Sequence, residues 1–449
     1  MKKLLIFSIL LSAASIFAFG GAKDYGKKAK PVAINSVNFP DSIFRAKVAE
    51  ATGVAEGETL TAAQVASVKV LSVHHKKLKS LTGVEHFVAL ERLYCSHCSI
   101  TELDVSANKA LRKLICDFNE LKSLDVSKNK ELDTLECHFN PLASLDVTKN
   151  KKLVRLAFGH SQIASIDVSK NRALKSLVCV NTPVSKLNVS KNLALHELYC
   201  MTTKITELDV THNPNLEVLD CYENELASLD VSHNPKLWEL YCQKNRLTAL
   251  DVSNNTDLEF LKCSDNPITA LDVTMLKDML ELTCSNTDIS SLDVSNCPEL
   301  SVLECYNCHL TSLDVSHNPK LGYLICAANP LGTLDVSHNT ELRRLTCVQN
   351  ELTNLDISGC PELKELDCSK NSLTSLDLSG CPELEKLDCS KNSLTSLDLS
   401  GAPKLETLCC DRNRITTLDL SGCPNIYGVR TDLARDQVKG NISGWFRNE

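Results

Sequence analysis

A unit of 21 residues repeats without a change of register through most of this chain, and sixteen consecutive copies fill residues 90–425. The copy that starts at Leu237 reads LWELYCQKNRLTALDVSNNTD. Because each repeat covers the apolar surface of its neighbour, such an array grows in length and not around one central core. A chain of 449 residues would otherwise suggest about two or three globular domains, and the repeat argues against that organisation.

The repeat has the consensus L-x-x-L-x-C-x-x-N-x-L-x-x-L-D-V-S-x-N-x-x, which contains two short alternations, one ending in cysteine and one in valine. An alternation with period two is typical of extended chain whose apolar side chains point to the same side. No stretch of the unit has helical periodicity. We therefore predict a mainly β/turn solenoid, wound as a right-handed parallel coil. Each unit is expected to supply two short strands that face each other across a thin core.

The segments outside the repeats predict the remaining domains. Residues 1–22 have the two early lysines, the apolar run and the small residues of a signal peptide. The exposed ends of a solenoid need covering, and Asp41 or Ser42 is expected to cap a first short helix there. We assign a flexible lead-in (23–34), a small helical N-terminal cap (35–67), an entry repeat (68–89) and a C-terminal cap (426–449).

The signal peptide predicts export to a secreted, cell-surface or periplasmic location. No cysteine precedes Cys95, so a lipid-acceptor cysteine is not expected, and no LPxTG sorting motif is found near the C-terminus. No later apolar segment is long enough to predict a membrane span. The net charge of −8, with both signs interspersed, argues against a nucleic-acid partner, because no basic stripe is present to neutralise phosphates.

Twenty-two cysteines in an exported protein would usually predict disulfides, but their spacing favours another interpretation. A cysteine occurs every 21 residues from Cys95 to Cys410, with Phe158 as the one exception. A column that accepts phenylalanine requires a buried apolar group, and free cysteine packs as a small hydrophobic residue. We therefore predict a ladder of reduced, buried thiols. A single bridge between Cys360 and Cys381, on adjacent coils, stays open as an alternative.

Several positions carry residue types that metal or redox sites use, although a structural role is favoured for each. An aspartate precedes the late valine in fifteen of sixteen units, which suits a turn better than a calcium ladder. No catalytic motif or cofactor-binding loop is found, so we predict no enzyme, no metal and no cofactor. The Cys95–Cys98 and Cys305–Cys308 pairs have the spacing of a zinc or redox half-site. We interpret four histidines as surface residues: His74, His75, His97 and His160.

Repeats of the form LxxLxCxxNxLxxLDVSxN behind a small helical cap resemble those of internalin J-like cysteine-ladder leucine-rich-repeat proteins of bacterial surfaces. The resemblance covers roughly residues 35–425. It implies a leucine-rich-repeat solenoid that acts through protein contacts in adhesion, host-cell interaction or biofilm formation, with a role in virulence. This chain lacks the wall-sorting motif and the long C-terminal extension of that family, so covalent attachment to the cell wall is not implied.

The third, fifth, seventh and eighth positions of the unit vary freely and are expected to point outward from the concave face. Aromatic residues on a solvent-facing sheet are typical of binding hot spots, although packing between strands is the alternative explanation. Nine aromatic residues fall in these columns: Tyr94, Phe118, Phe139, Tyr199, Tyr222, Tyr241, Phe260, Tyr306 and Tyr323. From their clustering on four consecutive coils we predict a protein-binding site formed by Tyr199, Met201, Tyr222, Tyr241, Phe260, Glu197, Asp220 and Glu239.

These features favour a secreted or cell-surface module that binds a protein of the host or of the bacterial surface, or a glycan. A structural spacer or scaffold in the bacterial envelope, with no dedicated ligand site, is the alternative. Units 359–379 and 380–400 differ at only two positions, which suggests that the last third of the array is spacer. Substitution of Tyr222 and Tyr241 separates the two hypotheses, because only a binding module would lose a partner.

Overall fold

The computed structural model describes residues 25–74, 77–440 and 445–447, and in it the repeats wind into a parallel β-solenoid of about 18 turns. The predicted leucine-rich-repeat solenoid class is confirmed. The signal peptide expected at residues 1–22 lies outside the described residues. Each repeat contributes one strand: Arg92–Tyr94, Lys113–Ile115, Thr134–Glu136, Arg155–Ala157, Ser176–Val178, Glu197–Tyr199, Val218–Asp220, Glu239–Tyr241, Phe260–Lys262, Glu281–Thr283, Val302–Glu304, Tyr323–Ile325, Arg344–Thr346, Glu365–Asp367, Lys386–Asp388 and Thr407–Cys409.

These strands form one parallel sheet in which strand order follows chain order and residues 21 apart lie side by side. The central leucine of each strand points inward, as Leu240 does between Leu219 and Leu261, and is fully buried. The two flanking residues point outward. The sequence period thus becomes a set of columns, and each column places chemically equivalent side chains about 4.8 Å apart.

The prediction of a second strand in every unit is wrong for most of the array. The late leucine and valine do point inward, and Leu250 and Val252 are buried. However, described strand pairing in these segments is confined to Leu418–Asp419 with Val438–Lys439 and one bridge between Asp335 and Asp356. The backbone bonds locally instead, because each column aspartate accepts a hydrogen bond from the N–H two residues later, as Asp251 does from Ser253 at 2.9 Å.

The predicted small helical cap covers the first coil. Helix α1, Ser42–Thr52, starts after Asp41, whose carboxylate accepts hydrogen bonds from two backbone N–H groups of its first turn. The second oxygen of Asp41 accepts from the N–H of Lys79 at 3.0 Å and so connects the cap to the entry coil. Helix α2, Ala62–Ser67, begins with a capping box between Thr61 and Gln64.

Short elements complete the two ends of the solenoid. Val32 and Ile34, in the segment assigned to the flexible lead-in, are buried in the N-terminal cap. The main sheet continues past the last repeat through two further strands, because backbone pairing does not depend on the repeat consensus. The remaining strands are Val32–Ala33, Thr59–Leu60, Val70–Ser72, Leu418–Asp419, Gly428–Thr431, Val438–Lys439 and Trp445–Arg447, and the 3-10 helices are Tyr25–Lys28, Val84–His86 and Arg435–Gln437.

The asparagines at the ninth position of the unit form hydrogen bonds with backbone groups of the turn that follows the strand. The side chain of Asn245 donates to the carbonyl oxygens of Cys221 and Cys242, both at 3.0 Å, and accepts from the N–H of Leu226. These are buried backbone groups that sheet pairing leaves without partners. The sequence-based expectation that an inward asparagine would satisfy the turn is confirmed at this position.

Replacing Asn245 with alanine should destabilise the coil by about 1–3 kcal/mol, because it leaves buried backbone groups unpaired. Asn245→Thr is the matched control, since Thr203 occupies the same column and still donates to the carbonyl of Cys200 at 3.0 Å. Chemical unfolding should rank the stabilities as wild type, then Asn245→Thr, then Asn245→Ala. Equal stabilities for all three proteins would contradict this role of the column.

Candidate functional site

The eight residues predicted to form a binding site lie together on the outward face of the sheet, on four consecutive coils. We call them the central patch. Their side chains are half-buried, and in-register pairing aligns them in rows along the solenoid. The third-position row is Glu197, Val218, Glu239 and Phe260, the fifth-position row is Tyr199, Asp220, Tyr241 and Lys262, and Met201 and Tyr222 follow at the seventh position.

An apolar surface adjoins the central patch on the side of the earlier coils. Ala157, Val178 and Val180 are buried and form a cluster separate from the main core, and Tyr199 and Met201 pack against it. We call these three buried residues the apolar floor. The expected aromatic surface is therefore continuous with a patch of small aliphatic side chains that the sequence did not single out.

Gly159 allows neighbouring coils to pack closely beside the apolar floor. A Cβ atom at Gly159 would lie 2.7 Å from a methyl carbon of Val180 and 3.0 Å from Nδ1 of His138, closer than side-chain carbons approach. The same His138 nitrogen accepts a hydrogen bond from the N–H of Gly159 at 3.0 Å. Glycine is therefore required here by the close packing of the two neighbouring coils.

A polar network borders the apolar floor. Arg155 donates to Glu136 at 2.8 Å and to the hydroxyl of Ser176 at 2.8 Å, and that hydroxyl donates to Glu197 at 2.8 Å. The network holds Glu197, one of the predicted site residues, at the edge of the patch. It also fixes the carboxylates beside a single guanidinium group, which leaves the surrounding surface acidic.

Burial shifts the pKa values of the groups on this face. Burial raises the pKa of Asp220 to about 6 and the pKa of Asp117 to about 7, and it lowers the pKa of His138 to about 4. Burial also raises the pKa of Tyr199, and the nearby carboxylates of Glu197 and Glu239 act in the same direction. At neutral pH the Asp220 carboxylate is therefore mainly ionised, and His138, on an earlier coil outside the central patch, is neutral.

A ring stack was missed by sequence reasoning. His97, Phe118, Phe139 and His160 stack face to face, with centroid distances of 4.3, 4.2 and 3.9 Å. His97 and His160 are exposed, as expected of surface residues, and they also belong to one column. Their 21-residue spacing was the available signal. All sixteen residues of this eighth column have left-handed backbone, with φ from 50° to 58°, so they leave the strand at the turn.

A shallow groove of about 440 Å³ begins where this stack ends. It lies in three consecutive coils in which a smaller residue replaces the ninth-position asparagine. His160 borders it and contacts the side chain of Asn181 at 2.8 Å. The residues that interrupt the asparagine column there are Ser161, Thr182 and Thr203.

The cysteines are free thiols in the structure, and all are buried except the half-buried Cys409. The predicted cysteine ladder is confirmed. Cys360 and Cys381 stay unbridged, and their thiols donate instead to the carbonyl oxygens of Val336 and Ile357 at 3.5 and 3.6 Å. The second cysteines of the two Cys-x-x-Cys pairs likewise donate to backbone carbonyl oxygens, Cys98 to Val73 and Cys308 to Cys284.

Within the described ranges, no group of three or more histidine, cysteine, aspartate or glutamate side chains is placed to hold a metal ion. The aspartate column forms turns, and at Asp251 the hydrogen bond from the N–H of Ser253 lowers the pKa of the carboxylate. No helix in the same ranges is long and apolar enough to cross a membrane.

The repeated strand–turn coils with a variable outward face define a leucine-rich-repeat protein, a fold that serves as a scaffold for protein interactions. Family models described as Leucine Rich repeats (2 copies) and Leucine Rich repeat match residues 382–422 and 306–326. The functional domain of internalin J from Listeria monocytogenes, which includes a cysteine ladder, is 32% identical with a TM-score of 0.69. That match covers 90% of this chain and 81% of the domain. The chain therefore belongs to the internalin J-like family of cysteine-ladder leucine-rich-repeat proteins.

Other relatives agree on the fold. Full-length internalin J of Listeria monocytogenes is 36% identical over 70 residues, which is 16% of this chain and only 8% of that protein. A leucine-rich-repeat protein of Leptospira interrogans is 22% identical, with a TM-score of 0.64 over 78% of this chain and 92% of the other. A plant peptide hormone receptor, solved in complex with RGF2, is 19% identical, with a TM-score of 0.67 over 83% and 70%.

Proposed function

We propose that this chain is a secreted or cell-surface module that binds a protein of a host cell or of the bacterial surface through the central patch. Its role would be adhesion, host-cell interaction or biofilm formation. The observation that carries the proposal is the asymmetry between the two sides of the coil. The outward sheet face carries clustered aromatic side chains next to the apolar floor, whereas the late segment repeats the same Asp-Val-Ser turn. A surface that binds a specific partner needs such a variable, partly apolar face.

The spacer hypothesis has one observation in its favour, in the last third of the array. Units 359–379 and 380–400 are nearly identical, and their two differences form complementary ion pairs. Lys364 lies 2.9 Å from Glu385, and Lys386 lies 2.7 Å from Glu365. These exchanged charges stabilise neighbouring coils without creating a distinct surface. We infer that the later coils hold the central patch away from the C-terminal end.

The proposal predicts that the double substitution Tyr222→Ala and Tyr241→Ala abolishes partner binding and leaves folding intact. Truncation of a buried interface tyrosine commonly costs about 2 kcal/mol, or about thirty-fold in affinity for each residue. The purified repeats would be used to capture partners from host-matrix, host-cell-surface and bacterial-envelope extracts. Circular dichroism would check that the doubly substituted protein folds.

The matched control is Ser232→Ala with Ser253→Ala in the aspartate turns of the same region, which should leave capture unchanged. Protease treatment of the extracts separates a protein partner from a glycan. Binding that survives the tyrosine changes and is lost with the serine changes would overturn the assignment of the outward face. An array that captures nothing from any extract would support the spacer hypothesis.

A further inference from the structure

The tyrosines of the outward face differ in which charged groups surround their rings. In three cases a lysine ammonium nitrogen lies 5.2–5.8 Å from the ring centroid, in the pairs Lys113–Tyr94, Lys244–Tyr222 and Lys262–Tyr241. Among the described residues, Tyr199 has no such cation. After burial, the carboxylates of Glu197, Glu239 and Asp220 raise the pKa of Tyr199 and the guanidinium of Arg155 lowers it, so three carboxylates and one guanidinium act on the ring.

The register of the sheet puts one carboxylate between two tyrosine rings. Asp220 pairs with Tyr199 on the preceding strand and with Tyr241 on the following strand, all in the fifth-position row. The two tyrosines are two strand spacings apart, which is roughly 10 Å. Within the described ranges, the Asp220 carboxylate accepts one hydrogen bond, from the N–H of Tyr222 at 3.1 Å, and forms no ion pair.

We propose that a lysine or arginine side chain of the partner protein inserts between Tyr199 and Tyr241 and pairs with Asp220. The proposal rests on the proposed function, since it states what chemistry the partner presents to the central patch. A cation is attracted to the face of an aromatic ring, and most strongly where water is partly excluded. Charge complementarity between this acidic, aromatic surface and a basic side chain therefore supplies both affinity and selectivity.

Lys262, next to Tyr241 in the fifth-position row, already pairs with both a tyrosine ring and a carboxylate. The ammonium nitrogen of Lys262 lies 5.7 Å from the ring centroid of Tyr241 and 2.6 Å from a carboxylate oxygen of Glu281. Tyrosine and carboxylate thus already bind a cation together on this sheet. Asp220 lies between two tyrosine rings and has no such cation within the described ranges, and the partner provides the positive charge there.

The apolar floor adds a second requirement on the partner. Val178 lies two strands before Asp220 and so is about 10 Å away along the solenoid. A peptide in the polyproline II conformation advances about 3.1 Å per residue and returns to the same face every three residues, so the residue three positions from the basic one reaches the floor. The partner segment is therefore expected to carry an apolar side chain three residues from its lysine or arginine.

The test uses two acetylated and amidated tetrapeptides, Leu-Ala-Ala-Arg and Arg-Ala-Ala-Leu, titrated with the purified repeats and followed by NMR. At least one order should bind the wild-type protein. Replacing its arginine by citrulline, the neutral isostere, should weaken binding about tenfold. Asp220→Asn should weaken binding of the arginine peptide by a similar factor, because the amide keeps the shape and removes the charge.

Asp367→Asn is the matched control, because Asp367 occupies the same row but lies between Thr346 and Asp388, with no tyrosine on either side. It should bind the arginine peptide as the wild type does. Absence of binding in both orders, equal binding of the citrulline peptide, or equal effects of the two aspartate changes would each overturn the proposal. If partner capture depends on Tyr222 and Tyr241 but not on Asp220, the proposed function stands and the cation site falls.

Discussion

Replacing Leu240 with alanine is expected to lower the local free energy of unfolding by about 2–5 kcal/mol, because it removes a buried side chain from a packed column. Leu240 is fully buried and lies in register between Leu219 and Leu261. A solenoid couples each coil mainly to its neighbours, so the loss should remain local. Hydrogen exchange should therefore quicken most in residues 216–278 and little near the two caps.

Leu240→Met is the matched control, since a substitution that conserves volume usually costs less than about 1.5 kcal/mol. Its exchange pattern should stay close to that of the wild type. Uniform loosening of Leu240→Ala out to both ends of the array would show that the coils unfold as one unit, against the nearest-neighbour description.

The native protein is expected to show almost no reactive thiol, whereas the unfolded protein should show nearly all twenty-two without any reductant. All the cysteines are free, and only Cys409 is half-buried. The thiolate is the reactive form, and burial raises the pKa of the Cys179 and Cys326 thiols to about 12. Cys409→Ser should remove most of the reactivity that remains in the native state.

The same pKa shifts predict how stability depends on pH. A thiol whose pKa is raised in the folded state favours folding fully only below the pKa of the unfolded state, about 8.5, and its contribution is lost as pH rises further. The denaturant midpoint should therefore fall as the pH rises above about 8.5. A protein whose thiols stay unreactive after unfolding would have bridged cysteines, and the reduced ladder would be wrong.

Much of the fold could be predicted from single columns of the sequence. The apolar columns of the early strand and the substitution of Phe158 for a cysteine indicate buried groups at fixed spacing, and Asp41 indicates a helix cap, because each depends on local chemistry. The second strand could not be separated from extended turn structure. Leucine and valine point inward in both cases, and only the hydrogen bond to the preceding aspartate decides between them.

The site was predicted less completely. The sequence identified aromatic residues that face outward, and the structure brings Tyr199, Asp220 and Tyr241 side by side. The apolar floor was not foreseen, because Ala157 and Val178 occupy outward columns that are partly exposed on most coils. They are buried since Tyr199 and Met201 pack against them. The central patch itself stays a prediction until a partner is tested.

The sequence by itself determined the period, the inward columns and therefore the solenoid, because residues 21 apart carry the same chemistry in sixteen coils. The tertiary structure alone decided the backbone of the eighth column, which is left-handed at residues as different as Phe118 and Arg412. That conformation costs roughly 1–2 kcal/mol for a residue with a side chain, and no glycine marks it. The cost is offset by hydrogen bonds between ninth-position asparagines and the neighbouring coil, such as those that Asn245 makes with the carbonyl oxygen of Cys221 and the N–H of Leu226. Such bonds exist only once the coils are stacked, which is why local sequence preference could not reveal the turn.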